Sequence, residues 1–439
     1  MKRNSPLVVP FALKRLTLAT VIGAALFSTA TFASQPASIQ ELFQALKAQP
    51  QTQLDGLSVK QAQTEQKAVK AQLMPQLSLF ADANFNNHLK NLKPVPPNEL
   101  GPGKDYPFAY NQYGYGVEAK MPLFVASLYQ LKAKAAQLKK AAEAQQQLNL
   151  LQSEALLTGY NAELKHLEAL IAAIDAQKRS LEESRKVVAI KVQSGRSPET
   201  QLINMDEHLN QLNQKRLGLT VQKQKMIDQI QALTGVTLEH SLPMFWQKRP
   251  LDTQRFMALD VVEQKKRAAQ SGLKAAQEAY YPKVSAYARW SNNYGEAYNT
   301  GKTISRDFGT VGIHLSVPLY NASLSTQKEK ARQAIEQAEL TERKLQQELG
   351  SNANTLSTTL TQLDQQAKLA EQSVAHQQQL LKTAKVAYQT GRMTQEEYLR
   401  YEDKLLAAKA NLYNIQANWW RAQATLAFLY GNHLEDFIQ

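Results

Sequence analysis

Apolar residues in this chain follow two periods, and the two take turns along its length. One 3-4 spacing selects Leu356, Leu360, Leu363, Ala367, Ala370, Val374, Gln377, Leu381, Ala384 and Tyr388, with Gln377 its one polar member. After a short break it selects Tyr398, Tyr401, Leu405, Ala408, Leu412, Ile415, Trp419, Ala422, Leu426 and Leu429. A 3.5-residue repeat kept over several heptads predicts coiled-coil packing, because a straight helix would otherwise rotate its seam away from the partner. The equivalent positions 196 residues earlier run Tyr160, Leu164, Leu167, Ile171, Ile174, Lys178, Leu181, Arg185, Val188 and Val192. They continue as Leu202, Met205, Leu209, Leu212, Arg216, Leu219, Lys223, Met226, Ile230 and Leu233. The pattern predicts two antiparallel helical hairpins, about 125–235 and 322–431. Their outbound helices, from about Leu128 and Leu324 to Gln193 and Gln389, are each roughly 100 Å long at 1.5 Å per residue.

The second period is two. Leu77, Leu79, Ala81, Ala83 and Phe85 alternate with Ser78, Phe80, Asp82, Asn84 and Asn86; Tyr113, Tyr115, Val117, Ala119 and Met121 alternate with Gln112, Gly114, Gly116, Glu118 and Lys120. Val284, Ala286, Ala288 and Trp290 alternate with Lys283, Ser285, Tyr287 and Arg289, and Val311, Ile313, Leu315 and Val317 with Thr310, Gly312, His314 and Ser316. Strands are predicted at about 76–87, 110–122, 283–293 and 308–318. Charge on one face only suits a strand between an apolar phase and water, although a half-buried soluble sheet alternates in the same way. Tyr280, Tyr281, Phe124 and Tyr320 at the helix side, with Phe85, Tyr110 and Phe308 at the loop side, are what two lipid–water interfaces select. The polar, Pro- and Gly-containing stretches 88–109 and 294–307 read as irregular external loops.

The two halves share landmarks at one offset. Gly195-Arg196 recurs as Gly391-Arg392, Pro122-Leu123-Phe124 as Pro318-Leu319-Tyr320, and Leu233-Thr234-Gly235 as Leu429-Tyr430-Gly431, each 196 residues on. A first repeat at 34–235, a linker at 236–256, a second repeat at 257–431 and a tail at 432–439 follow. A repeat this long predicts two large equivalent halves rather than a solenoid.

Composition narrows the setting. Lys2, Arg3, Lys14 and Arg15 flank the short apolar run from Leu16 to Phe27, and small residues follow to Ala33. That reads as a secretory signal over residues 1–33. Removing those four bases takes the formal charge from +13 to +9. Lysines spread along helices among Gln and Ala describe solvated faces and not a nucleic-acid surface. The absence of cysteine excludes disulfides and thiolate metal sites, and the seven histidines show no close ligand spacing. No phosphate loop or nucleophile–base signature appears, so neither enzymatic activity nor a cofactor is expected.

Four strands in lipid cannot close on themselves, and an open edge leaves backbone groups unpaired in hydrocarbon at several kcal/mol each. The smallest single-chain outer-membrane barrels have eight strands, so copies must share the wall. Helices of ~100 Å project out of the membrane and continue the barrel as a helical conduit. The fold class expected is a mixed membrane α+β protein, an outer-membrane β-barrel extended by an α-helical coiled-coil barrel.

With its duplicated hairpins, strand ends in Pro-Leu-aromatic and Gly-containing tips, the mature chain, about 34–431, resembles the TolC family of outer-membrane efflux proteins. The resemblance implies a homotrimer with a twelve-stranded barrel in the outer-membrane lipid of a Gram-negative bacterium and a tunnel across the periplasm. It also implies docking at the tips by a periplasmic adaptor (membrane fusion) protein coupled to an inner-membrane transporter of the RND, ABC or MFS type. Gly195, Arg196 and Ser197, with Gly391, Arg392 and Met393, match the family's adaptor-contacting turns; for the glycines, ending a helix is an equal explanation. Glu397 matches an acidic gate position just past the second tip. Arg400 stands where the family often has a second acid, which departs from a double acidic ring. Glu397 as a solvated helix residue is the competing reading. Asp82, Glu118, Lys120, Lys283, Arg289 and His314 are expected to line the barrel, their mixed sign arguing against strong ion selectivity. The alternative for the whole chain is a structural coiled-coil protein of the periplasm or cell surface without transport.

Overall fold

The computed structural model describes residues 38–92, 95–247 and 249–439. The expected signal segment lies outside the described residues. Ten-residue α1 (Ile39–Ala48) and α2 (Pro50–Ala71) lead into β1 (Gln76–Asn91) and β2 (Phe108–Phe124). The first hairpin follows as α3 (Ala126–Gln193) and α4 (Glu199–Thr234), then α5 (Met257–Glu278), β3 (Lys283–Glu296) and β4 (Thr303–Ser316). The second hairpin is α6 (Ala322–Gln389) and α7 (Gln395–Leu429). Helices α3 and α6 are 68 residues each, or about 100 Å.

The strands form one antiparallel sheet in the order β1-β2-β3-β4. The central pair joins the two repeats, with Val117 opposite Trp290 and Ala119 opposite Ala288. Each outer strand keeps one free edge. Strand β1 extends past the predicted end to Asn91 across a register shift between Phe85 and Lys90, and β4 begins at Thr303. The alternation stops where polar residues such as His88 and Arg306 begin, but the ladder is made by backbone groups and continues beyond it. The connection between β3 and β4 is therefore residues 297–302, shorter than the irregular loop expected at 294–307.

The helices keep the lateral order of the strands. Near the sheet α2 packs on α3, α3 on α5 and α5 on α6; toward the tips α4 packs on α3, α3 on α7 and α7 on α6. Every level is four elements wide, with α2 and α4 at one edge and α6 at the other. The seam residues do bury: Leu164, Leu167, Ile174, Leu181 and Val188 of α3, Met205, Leu212 and Ile230 of α4. Charged seam positions find acids across the first hairpin, Arg216 with Asp175 at 2.7 Å, Lys223 with Glu168 at 3.0 Å, and Arg185 with Asp206.

The largest cluster lies midway along the helices. Ile39, Leu42, Phe43 and Leu46 of α1 pack there against Leu157, Leu164, Ile230, Leu238, Leu434 and Ile438. The linker and the tail meet in it, with Phe245 N–H donating to Gln439 O at 2.9 Å and a bridge between Trp246 and Ile438. Trp246 stacks on Phe437 at 5.5 Å and meets the edges of Trp419 and Trp420, which accounts for that tryptophan pair.

Candidate channel wall and docking tips

Directly opposed residues in an antiparallel ladder project to the same face. Glu118 opposes Ser78 and Arg289, Arg289 opposes Thr310, and His314 opposes Ser285. Asp82 opposes Gly114, Lys120 opposes Tyr287, and Lys283 opposes Ser316. All six residues expected to line the barrel therefore stand on one face. Their charges are paired locally: Lys120 bonds Glu118, and the Arg289 guanidinium lies 4.1 Å from the centre of the Phe80 ring.

The other face is apolar and bare. Leu79 is 83% exposed, Val311 84% and Ile313 71%. Its aromatics form a chain near the loop end. Tyr113 stacks on Tyr294 at 5.4 Å, Phe85 meets Tyr113 edge-on, and Tyr115 meets Trp290 edge-on. By register Tyr110 and Phe308 fall on the polar face, so of the loop-side set expected from sequence only Phe85 joins this belt. Position along the chain gave the depth of those rings correctly; the side of the sheet depends on pairing parity. A surface with an apolar face, an aromatic belt at one rim and an opposite polar face fits lipid on one side and water on the other.

The two tips are built alike. Gly195 has φ 72° and Gly391 φ 75°, the left-handed region that favours glycine. Gly195 N–H donates to Val192 O and Arg196 N–H to Lys191 O; Gly391 N–H donates to Tyr388 O and Arg392 N–H to Ala387 O. Each tip is thus a Schellman ending that satisfies the last carbonyls of a long helix and turns the chain. Arg196 and Arg392 spend their amides in that ending and leave their side chains exposed; Ser197 and Met393 are half-buried beside them.

The returning helices start differently. Helix α4 follows Pro198 without a side-chain cap, whereas α7 starts with a capping box. Thr394 Oγ1 accepts from Glu397 N–H, and the Glu397 carboxylate accepts from Thr394 N–H at 2.9 Å. These bonds from Thr394 hold the Glu397 carboxyl below the usual carboxylate range. The Thr-x-x-Glu signal was present in the sequence and marks a helix start. Arg400 pairs with Glu396 at 2.6 Å. The structure thus gives both residues expected at the gate partners within their own helix.

One polar cluster was not singled out from sequence. Tyr398 occupies a seam position, but its hydroxyl donates to Glu402, which Ser180 of α3 also reaches. A Glu four residues from a Tyr on a helix carries no signal until the partner helix is placed. Among the described residues, no group of three or more His, Asp or Glu is arranged to hold a metal ion.

Residues 253–432 match the family model described as outer membrane efflux protein. The crystal structure of the outer membrane protein VceC from Vibrio cholerae has a TM-score of 0.74 at 18% identity, over 89% of this chain and 95% of that one. The CmeC outer membrane channel of Campylobacter jejuni gives 0.74 at 15% identity, over 98% and 95% of the two chains. The open state of the Neisseria gonorrhoeae MtrE outer membrane channel gives 0.68 at 15%, over 91% and 90%. No curated protein matches the chain in sequence. The second half of this chain thus matches the outer membrane efflux protein family, and nearly its whole described length shares the strand-and-helix fold of these TolC-like channel structures.

Proposed function

We propose that three copies of this chain close into a twelve-stranded barrel and a helical tunnel, forming the passive exit duct of a tripartite efflux or type I secretion system. The observation that carries this reading is the four-stranded open sheet with an apolar face and two free edges. In lipid those edges require partners. The helical edges need cover too: α2 buries no residue, and α6 buries five of its 68. Strand order and helix order coincide, so one rotation about a common axis seals both layers at once.

In a passive duct the energy for transport comes from partners. An adaptor hairpin docks at the exposed turns around Arg196, Ser197, Arg392 and Met393, and an inner-membrane transporter drives the cargo. Glu397 and Arg400 stand beside the second tip, where a ring of three copies would constrict the periplasmic mouth.

Light scattering of the detergent-solubilised protein tests the assembly, with a protein mass of three chains as the expected result. A stable monomer soluble without detergent would overturn it. Ser197→Cys and Met393→Cys, made in a chain that lacks cysteine, should cross-link to a co-expressed adaptor. Labelled positions in β1 should not.

A further inference from the structure

The seam between the two hairpins holds a buried carboxyl whose hydrogen bonding is lopsided. Glu402 of α7 is 5% exposed. Its Oε1 accepts from Tyr398 Oη at 2.9 Å and from Ser180 Oγ of α3 at 2.5 Å. Its Oε2 is buried with no partner, and so is Oε1 of Gln177, one turn from Ser180 on α3. The two residues line one cavity of about 370 Å³ between α3, α6 and α7, which Leu381, Leu405 and Leu406 also wall. Gln177 Nε2 donates to Asp403 Oδ1 at 2.9 Å, and Tyr398 stacks on Tyr388 of α6 with ring centres 5.1 Å apart. The cluster therefore ties α3, α6 and α7 together within about two turns of the α7 start.

A buried carboxylate oxygen without a donor is a costly arrangement. A proton on Oε2 removes that charge and leaves both bonds to Oε1 in place. The surroundings are mixed. Helix α6 brings Lys382, Lys385 and Tyr388; α7 brings Tyr398, Asp403 and Lys409; α3 contributes only the neutral Gln177 and Ser180. His208 of α4 lies 3.9 Å from Asp403. Burial pushes the Glu402 carboxyl up and Asp403 adds to it, against the bonds from Ser180 and Tyr398 and the Lys385 charge. Burial likewise pushes the Tyr398 phenol up to about 12, so Tyr398 stays a donor throughout the working range.

We propose that Glu402 is a proton-operated latch: protonated, it keeps α7 packed on α3 through Ser180, and on losing its proton to solvent it releases the tip-side end of α7. An ionised carboxylate needs hydration, and separating α7 from α3 is how water reaches Oε2. The packed state raises the carboxyl's pKa, so it holds the proton more tightly than the released state. Acid therefore favours packing, and packing weakens as pH rises through the raised value. The packed-to-released ratio changes up to about tenfold for each unit by which burial raises the pKa.

This goes beyond the docking reading and needs neither adaptor nor cargo for its test. Spin labels at Arg179→Cys of α3 and Lys404→Cys of α7, both exposed, report the distance between the helices in the intact detergent-solubilised protein. A short-distance population in acid that gives way to a longer one with rising pH is the expected result. Glu402→Gln, neutral at every pH, should hold the short distance throughout. Tyr398→Phe removes a donor that favours the carboxylate, and should move the midpoint to higher pH. A distance independent of pH, a wild-type response in Glu402→Gln, or an unmoved midpoint in Tyr398→Phe would overturn the latch. None of these outcomes bears on whether three copies assemble.

Discussion

At the residue scale, this chain uses its few buried charges as fasteners. Glu154 on α3 is 1% exposed, and its carboxylate accepts from Leu434 N–H at 2.8 Å and contacts His433 Nδ1 at 3.1 Å, pinning the tail to the long helix. The bond to Glu154 raises the His433 pKa above 6.5, against burial. A raised folded value means that the stabilisation is complete below the unfolded pKa and is lost as pH climbs through the folded one. His433→Gln should therefore lower the apparent Tm more at about pH 6 than at about pH 9, and an equal deficit at both would show that the charge is not involved. Near the second tip, helix capping and gating make different demands on the same residues. Thr394→Ala removes the cap at a cost of about 1 kcal/mol and leaves the Glu397 charge in place; Glu397→Gln removes the charge and retains an acceptor for Thr394 N–H. If charge constricts the mouth, conductance in planar bilayers rises for Glu397→Gln and Glu397→Ala but not for Thr394→Ala. A rise in Thr394→Ala alone would assign the effect to the helix start.

At the element scale, the sheet depends on close approach at β2. A Cβ added at Gly116 would lie 2.1 Å from Trp290 O and 2.7 Å from the Phe80 ring. Neither can yield cheaply, because the first is backbone in the central pairing and the second carries the Arg289 contact. Gly116→Val should therefore break the β2–β3 register, seen as loss of heat-modifiable mobility on gels, while the helical far-UV signal persists. The atoms nearest a Cβ at Gly114 belong to the side chains of Asp82 and Asn293, at 2.9 Å, so Gly114→Ala should be the milder change. The helical elements rest on a more forgiving pattern. Their period was legible from end to end, and even the charged interruptions at Arg216 and Lys223 have partners in Asp175 and Glu168. Ion pairs of this exposure stabilise little and set register more than strength.

At the scale of the whole molecule, the two sheet faces are suited to different media. On the apolar face Ile313→Arg should destabilise the membrane-inserted protein by about 2–4 kcal/mol, whereas the neighbouring His314→Arg, on the opposite face, should be nearly silent. Equal effects would mean that lipid does not contact the face that carries Leu79 and Val311. The common lateral order of strands and helices then gives the protein its direction, with barrel at one end and Schellman-capped tips at the other.

Much of this was written in the chain. Apolar repeats of 3.5 and 2 suit, respectively, a seam between helices and a surface between lipid and water, so element type, duplication and the shared face of the residues from Asp82 to His314 could be read without coordinates. Sequence could not supply what depends on which segments lie side by side. Pairing parity put Tyr110 and Phe308 on the polar face, backbone ladders carried β1 and β4 past the end of the alternation, and the tail's packing against the linker required both to be in place. Ser180 and Glu402 lie 222 residues apart, and no local period encodes a contact of that separation. Local periodicity records the medium each face will meet; the neighbours within it are chosen only when the chain has folded.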